Sequence, residues 1–218
     1  MSDAAPNTEL ELADWRRRVA KLYADIRFLY PDDPVAAWQL WKAEREALFR
    51  DHGQSPLPSD QRAAFRSRHW GYDARLAFQI AVIPEPPVTT DSPGQAPALS
   101  LPNSGPDTLS FRRIGSVRIP FADGPRNLSL FWMAGYSGGL FLPFRDATNG
   151  TETYGAGRYL IDSAKSADLG GDPVRDTLVC DFNFSFQPSC AFDPRWACPL
   201  APPENRLDIP VRAGERIA

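Results

Sequence analysis

The chain has 218 residues, 43% of them hydrophobic and 11% aromatic, a composition that excludes an intrinsically disordered protein and allows a sizeable core. Its 24 basic and 27 acidic residues leave a formal charge of −3, so nothing draws it to phosphate backbones and nucleic acid is not an expected partner. No apolar run reaches the roughly 18–20 residues of a membrane span, and the acidic, polar N-terminus lacks the basic and apolar regions of a signal peptide; a cytoplasmic protein with no membrane partner is expected.

Residues 1–9 read as a disordered tail, and residues 10–218 as a single domain with a helical region over 10–70 and a β-rich region over 71–218. Apolar residues at Trp15, Val19, Leu22, Ile26 and Leu29 recur every three or four positions and predict one helix face. Asp33-Pro34 supplies a capping acceptor followed by proline at the first helical position, which starts a second helix running to about Arg50. Trp38, Trp41, Leu48 and Phe49 share a face of that helix and read as core. Gly53 stops it, Ser55-Pro56-Leu57-Pro58 turns the chain, and a short helix is expected through Phe65.

After Tyr72 the pattern becomes β. A strand over 75–83 precedes a proline-rich loop at 84–106, with one short strand near 98–101 inside it. Short apolar runs then alternate with turns over 108–112, 116–121, 128–134, 140–144, 157–162, 177–184 and 206–211. Asp123-Gly124-Pro125, Ser137-Gly138-Gly139, Asn149-Gly150 and Gly170-Gly171 mark the turns. Many short strands at this spacing predict an α+β fold in which N-terminal helices pack on a mainly antiparallel β-barrel or β-sandwich.

Gly135-Tyr136-Ser137-Gly138-Gly139 fits the G-x-S-x-G pattern, but a nucleophile elbow needs a helix after the serine and a histidine later in the chain. Leu140-Phe141-Leu142 reads as a strand, and both histidines, His52 and His69, precede the serine. The segment is read as a hairpin turn. Phosphate-loop, dinucleotide and HExxH patterns are absent, and no cofactor is expected. Cys180 sits in the apolar run Thr177-Leu178-Val179-Cys180 and reads as core. Cys190 and Cys198 are read as free thiols, with a bridge between them and a zinc site completed by a distant histidine as lesser alternatives.

The segment from Gly157 to Glu215 concentrates polar groups around prolines. Asp181 and Glu204 are candidate acid–base carboxylates, with backbone anchoring as the alternative role. Arg158 lies in an expected strand, where an inward-pointing guanidinium needs either a carboxylate, Asp181 being the natural one, or an anionic ligand. Asn183 and Asn205 add neutral donors.

The order of Phe49, His52 and Ser55-Pro56-Leu57, then Phe144-Arg145-Asp146-Ala147-Thr148-Asn149-Gly150, Thr153-Tyr154-Gly155 and Gly157-Arg158-Tyr159-Leu160, continues through Asp181-Phe182-Asn183, Pro188, Cys190-Ala191, Cys198-Pro199-Leu200 and Pro203-Glu204-Asn205-Arg206-Leu207. In this order the chain resembles domain-of-unknown-function family 1684 (DUF1684), a bacterial and archaeal group of uncharacterised proteins. Gln187, Phe192 and Ala201 depart from the family's usual Asn, Tyr and Pro. The resemblance implies a shared fold and polar cassette without an assigned chemistry, and it makes His52 the candidate base. Two functions follow as expectations. One is a pocket for a small polar or anionic molecule built from Arg145, Arg158, Asn183 and Asn205, with acid–base chemistry at His52, Asp181 and Glu204. The other is a non-catalytic structural or interaction module in which the cassette is a stabilising clasp.

Overall fold

Two helices, α1 (Thr8–Leu29) and α2 (Pro34–Asp51), open the computed structural model, which describes residues 8–86, 99–105, 109–135 and 138–217. The Asp33 carboxylate accepts the Ala36 N–H at 2.9 Å and Pro34 takes the first helical position, so the predicted start of α2 holds. The first helix begins at Thr8, two residues before the expected boundary, with Glu9 and Glu11 in its first turn where acidic groups favour the dipole. Residues 1–7 of the expected tail lie outside the described residues. The short helix expected through Phe65 does not form: residues 59–64 are a run of turns.

Eight strands make one antiparallel sheet curled into a half-barrel: β1 (Ala77–Pro84), β2 (Leu99–Ser100), β3 (Ser110–Phe121), β4 (Gly124–Met133), β5 (Gly139–Phe144), β6 (Arg158–Asp162), β7 (Gly171–Asp172) and β8 (Thr177–Asp181). The order is β6-β5-β4-β3-β1-β8-β7, with β2 on β3. The fold is α+β, as expected. The strands expected over 108–112 and 116–121 are one long strand, whose register shifts between Arg113 and Gly115. Gly115 breaks the apolar pattern because β1 presses on it: a Cβ there would stand 2.4 Å from the Ile83 carbonyl oxygen. The strand expected to reach residue 184 stops at Asp181, whose carboxylate takes the Asn183 N–H and turns residues Phe182–Phe184 into a 3-10 helix. Residues 206–211 form no strand, and their one isolated β-bridge joins Arg206 to Arg145. The Gly135–Gly139 turn joins antiparallel β4 and β5, while Tyr136 and Ser137 lie outside the described residues. So do residues 87–98 of the proline-rich loop.

The core has two parts. Leu22, Tyr23 and Ile26 of α1 and Trp38 and Trp41 of α2 pack on Phe111, Phe131, Phe141 and Tyr159 of the sheet. The second part, Val117, Ile119, Leu128, Phe144, Cys180 and Phe182, is covered by Leu207, Val211 and Ala213 of the C-terminal segment. That segment is therefore a structural layer over the sheet. Among the described residues, no helix is long and apolar enough to cross a membrane.

Candidate functional site

Arg158 is fully buried on β6, and its partner is Asp146, not Asp181. Its Nη2 donates to Asp146 Oδ2 at 3.1 Å and to the Val211 carbonyl at 2.7 Å. Nη1 donates to the carbonyls of Ala213 and Glu215, the latter at 3.2 Å. The guanidinium lies between the rings of Trp70 and Phe144, 5.4 and 5.0 Å from their centroids. Asp146 also accepts the Val211 N–H at 2.7 Å and the Thr148 hydroxyl at 2.6 Å. This pair clamps residues 211–215 onto the sheet. The expectation that Arg158 meets Asp181 fails because Asp181 stands where strand β8 ends, beside α1.

Asp181 is equally enclosed. It accepts the Tyr30 and Tyr72 hydroxyls, both at 3.0 Å, and the backbone and side-chain N–H groups of Asn183 at 2.9 and 2.7 Å. Burial outweighs these donors and raises its pKa above the ordinary carboxylate value. Asn183 Nδ2 and Oδ1 pair in turn with the backbone of Asp73. Asn205 behaves as an inserted strand residue: its amide takes the Ser129 N–H at 2.7 Å and donates to the Ser129 and Pro143 carbonyls at 2.9 and 2.7 Å. Replacing it by Ala leaves those buried groups unpaired, so Asn205→Ala is expected to lose about 1–3 kcal/mol in urea unfolding. An unchanged midpoint would contradict this assignment.

The remaining candidates stand apart. His52 caps the end of α2; its Nδ1 accepts the Gln54 N–H at 3.0 Å, which leaves Nε2 as the donor to Asp14 at 3.3 Å. Glu204 is exposed and makes no ion pair or side-chain hydrogen bond among the described residues. Arg145 donates to the Ala156 carbonyl at 3.3 Å. The structure thus brings Asp181 and Asn183 together, joins Arg145 to Asn205 through the Arg145 N–H to Asn205 carbonyl bond at 2.9 Å, and distributes the other candidates over separate contacts.

Groups that the sequence reading passed over are more concentrated. Glu215, 3% exposed, is held by Arg45 of α2 through both Nε and Nη2, the latter at 3.1 Å, and accepts the Gln187 N–H at 2.8 Å. Burial pushes the Glu215 carboxyl upward, but Arg45 overrides this and the net pKa is lowered. The buried His69 ring lies 4.0 Å from Glu215, stacks edge-on against Trp41, and has no hydrogen-bond partner on either nitrogen. Burial depresses its pKa to about 4.

Outside this pair opens a cleft of about 640 Å3. Its lining combines apolar Leu57, Phe65, Ala191 and Phe192 with Gln187 and Glu215 and with the cationic Arg66, Arg68 and Arg216. None of these three arginines makes an ion pair among the described residues, and Arg216 Nε is buried without a partner. The acids on the lining are Asp60 and Glu215, and Arg45 neutralises Glu215, so the lining carries three arginines against one unpaired carboxylate.

Comparison with known proteins places the chain. The DUF1684 family, described as a protein of unknown function, matches residues 72–216. The chain belongs to DUF1684. That match spans β1 to the Glu215 clamp and leaves out the Phe49–Leu57 stretch that carries His52. The DUF1684 chain is also similar to the solution NMR structure of an uncharacterized protein from gene locus rrnAC0354 of Haloarcula marismortui. The two are 28% identical, with 82% of this chain and 91% of that one covered at a TM-score of 0.58. No curated protein matches.

Cys180 is fully buried in the core, whereas Cys190 and Cys198 come together. Among the described residues no cluster of three or more His, Cys, Asp or Glu is arranged to hold a metal. The pair therefore has no third ligand from either histidine.

Proposed function

We propose that this DUF1684 protein binds a small organic anion with an apolar portion in the cleft between residues 57–68 and the C-terminal segment. One observation carries the reading: an open cleft of about 640 Å3 is lined both by Arg66, Arg68 and Arg216, none of them in an ion pair among the described residues, and by Phe65 and Phe192. Guanidinium forks suit carboxylate and phosphate oxygens, and an apolar wall with a few polar groups is the usual build of a small-ligand pocket. Phe192, where the family usually has Tyr, packs on Phe49 and Phe65 at 5.1 and 6.0 Å and leaves this wall without a hydroxyl.

The reading keeps an anionic ligand but moves it away from Arg145, Arg158, Asn183 and Asn205, and it includes no acid–base step at His52, Asp181 or Glu204. The cassette takes the clasp role instead, supported by the internal hydrogen bonds of the Arg158 Nη atoms, Asp181 and Asn205. Phenyl phosphate and phenylacetate test it, with benzyl alcohol as the neutral control. Both anions are expected to raise the melting temperature saturably and the alcohol to leave it unchanged. Arg68→Ala and Arg216→Ala should each weaken binding about tenfold, equivalent to roughly 1.4 kcal/mol. Equal shifts from all three probes, or native affinity in both variants, would refute it.

A further inference from the structure

The thiol pair lies on a different face of the cassette and plays no part in the anion cleft. Cys190 occupies the short 3-10 turn Ser189–Ala191, and Cys198 follows a loop that folds back through the Trp196 N–H to Asp193 carbonyl bond at 3.2 Å. The fold-back brings the Cys190 N–H to the Cys198 sulfur at 3.4 Å. Cys198 is fixed from the other side, its N–H donating to Ser104 Oγ at 2.8 Å and its carbonyl accepting the Ser104 N–H at 3.0 Å. We propose that Cys190 and Cys198 form a redox-active dithiol that closes to a disulfide by exchange with a small disulfide such as oxidised glutathione.

Three features support the exchange. The Cys198 thiol beside it lowers the Cys190 pKa, which favours the thiolate on Cys190. Cys190 is 8% exposed and Cys198 2%, so Cys190 is the attacking sulfur and Cys198 the resolving one. A cavity of about 230 Å3 lined by Trp15, Ser189, Trp196 and Cys198 reaches the pair from the Cys198 side, with Ser189 adjoining Cys190. The Cys190 thiolate attacks one sulfur of the glutathione disulfide, forming a mixed disulfide and releasing one glutathione thiolate. The Cys198 thiol gives up its proton and attacks the Cys190 sulfur, the bond to glutathione breaks, and the second thiolate leaves. The two protein protons end on the two glutathione thiolates, and two electrons pass from protein to glutathione.

Intact-mass and peptide analysis after alkylation, on full-length protein equilibrated with reduced and oxidised glutathione, tests the proposal. The native chain should lose two hydrogens in a single Cys190–Cys198 link while Cys180 stays alkylatable. Cys198→Ser should accumulate one glutathione on Cys190, and Cys190→Ser should react about tenfold more slowly. The native measurement stands even where a variant fails to fold. Full alkylation of both thiols in oxidising buffer, linkage through Cys180, or equal rates in the two variants would overturn the proposal.

Discussion

Arg158→Ala is expected to destabilise the protein by roughly 3–5 kcal/mol, the usual cost of removing one partner of a buried ion pair. The substitution leaves Asp146 buried with no cation in ion-pair contact, retaining the Val211 N–H and the Thr148 hydroxyl. It also strips donors from the carbonyls of Val211, Ala213 and Glu215 and removes the plate between Trp70 and Phe144. Because Val211 and Ala213 cover the second part of the core, the loss spreads beyond the pair. Urea unfolding measures it, and Asp146→Ala with the double variant completes a cycle whose coupling should fall within about 0.5–3 kcal/mol. A loss for Arg158→Ala below about 1 kcal/mol, the size seen for exposed pairs, would show that the clamp does not hold the C-terminal layer.

The second large effect is a pH slope from His69. The unfolded chain takes up the imidazole proton near pH 6.5, whereas the buried ring in the folded protein takes it up only at about 4. Between those values the unfolded state carries more protons, so stability falls as pH falls through that window. The slope approaches about 1.4 kcal/mol per pH unit, so about 2 kcal/mol is lost between pH 6.5 and 5. Glu215, with its lowered pKa, contributes stability that is present above its unfolded value and lost only as pH falls through the folded one. Asp181 acts in the opposite sense, since its raised pKa lets the folded state bind a proton first. The groups whose charges act on His69 are Glu215, Lys42, Arg45 and Glu46. Comparing the native protein with His69→Phe between pH 5 and 7 isolates the imidazole. The variant should lose the slope, and identical slopes in the two proteins would contradict a buried neutral His69.

Helix starts, the split between helical and β regions, and most strands were legible because capping chemistry and apolar periodicity are local. The bulge at Gly115 and the early end of β8 at Asp181 were not, because both depend on a neighbour across the sheet or on a side chain returning to its own backbone. The cassette could be located from the density of its polar residues, but its pairing could not. Nothing in the sequence ranks Asp146 above Asp181 as the partner of Arg158. Arg45 did leave a signal. Trp38, Trp41, Arg45 and Leu48 fall at helical spacing, so a guanidinium interrupts an apolar stripe and demands a buried carboxylate, which Glu215 supplies. The cleft arginines left none, since Arg66, Arg68 and Arg216 meet only after the C-terminal segment returns to the Arg68 backbone through the Arg216 N–H.

Amide chemical-shift mapping of the labelled protein during titration with phenyl phosphate tests most directly whether the cassette is a clasp and the cleft the binding site. Saturable shifts confined to Arg66, Ser67, Arg68, Gln187, Phe192 and Arg216, with Asp181, Asn183 and Asn205 unmoved, are the predicted result. Shifts centred on Asp181 and Asn183, or no saturable shift in the cleft, would contradict it.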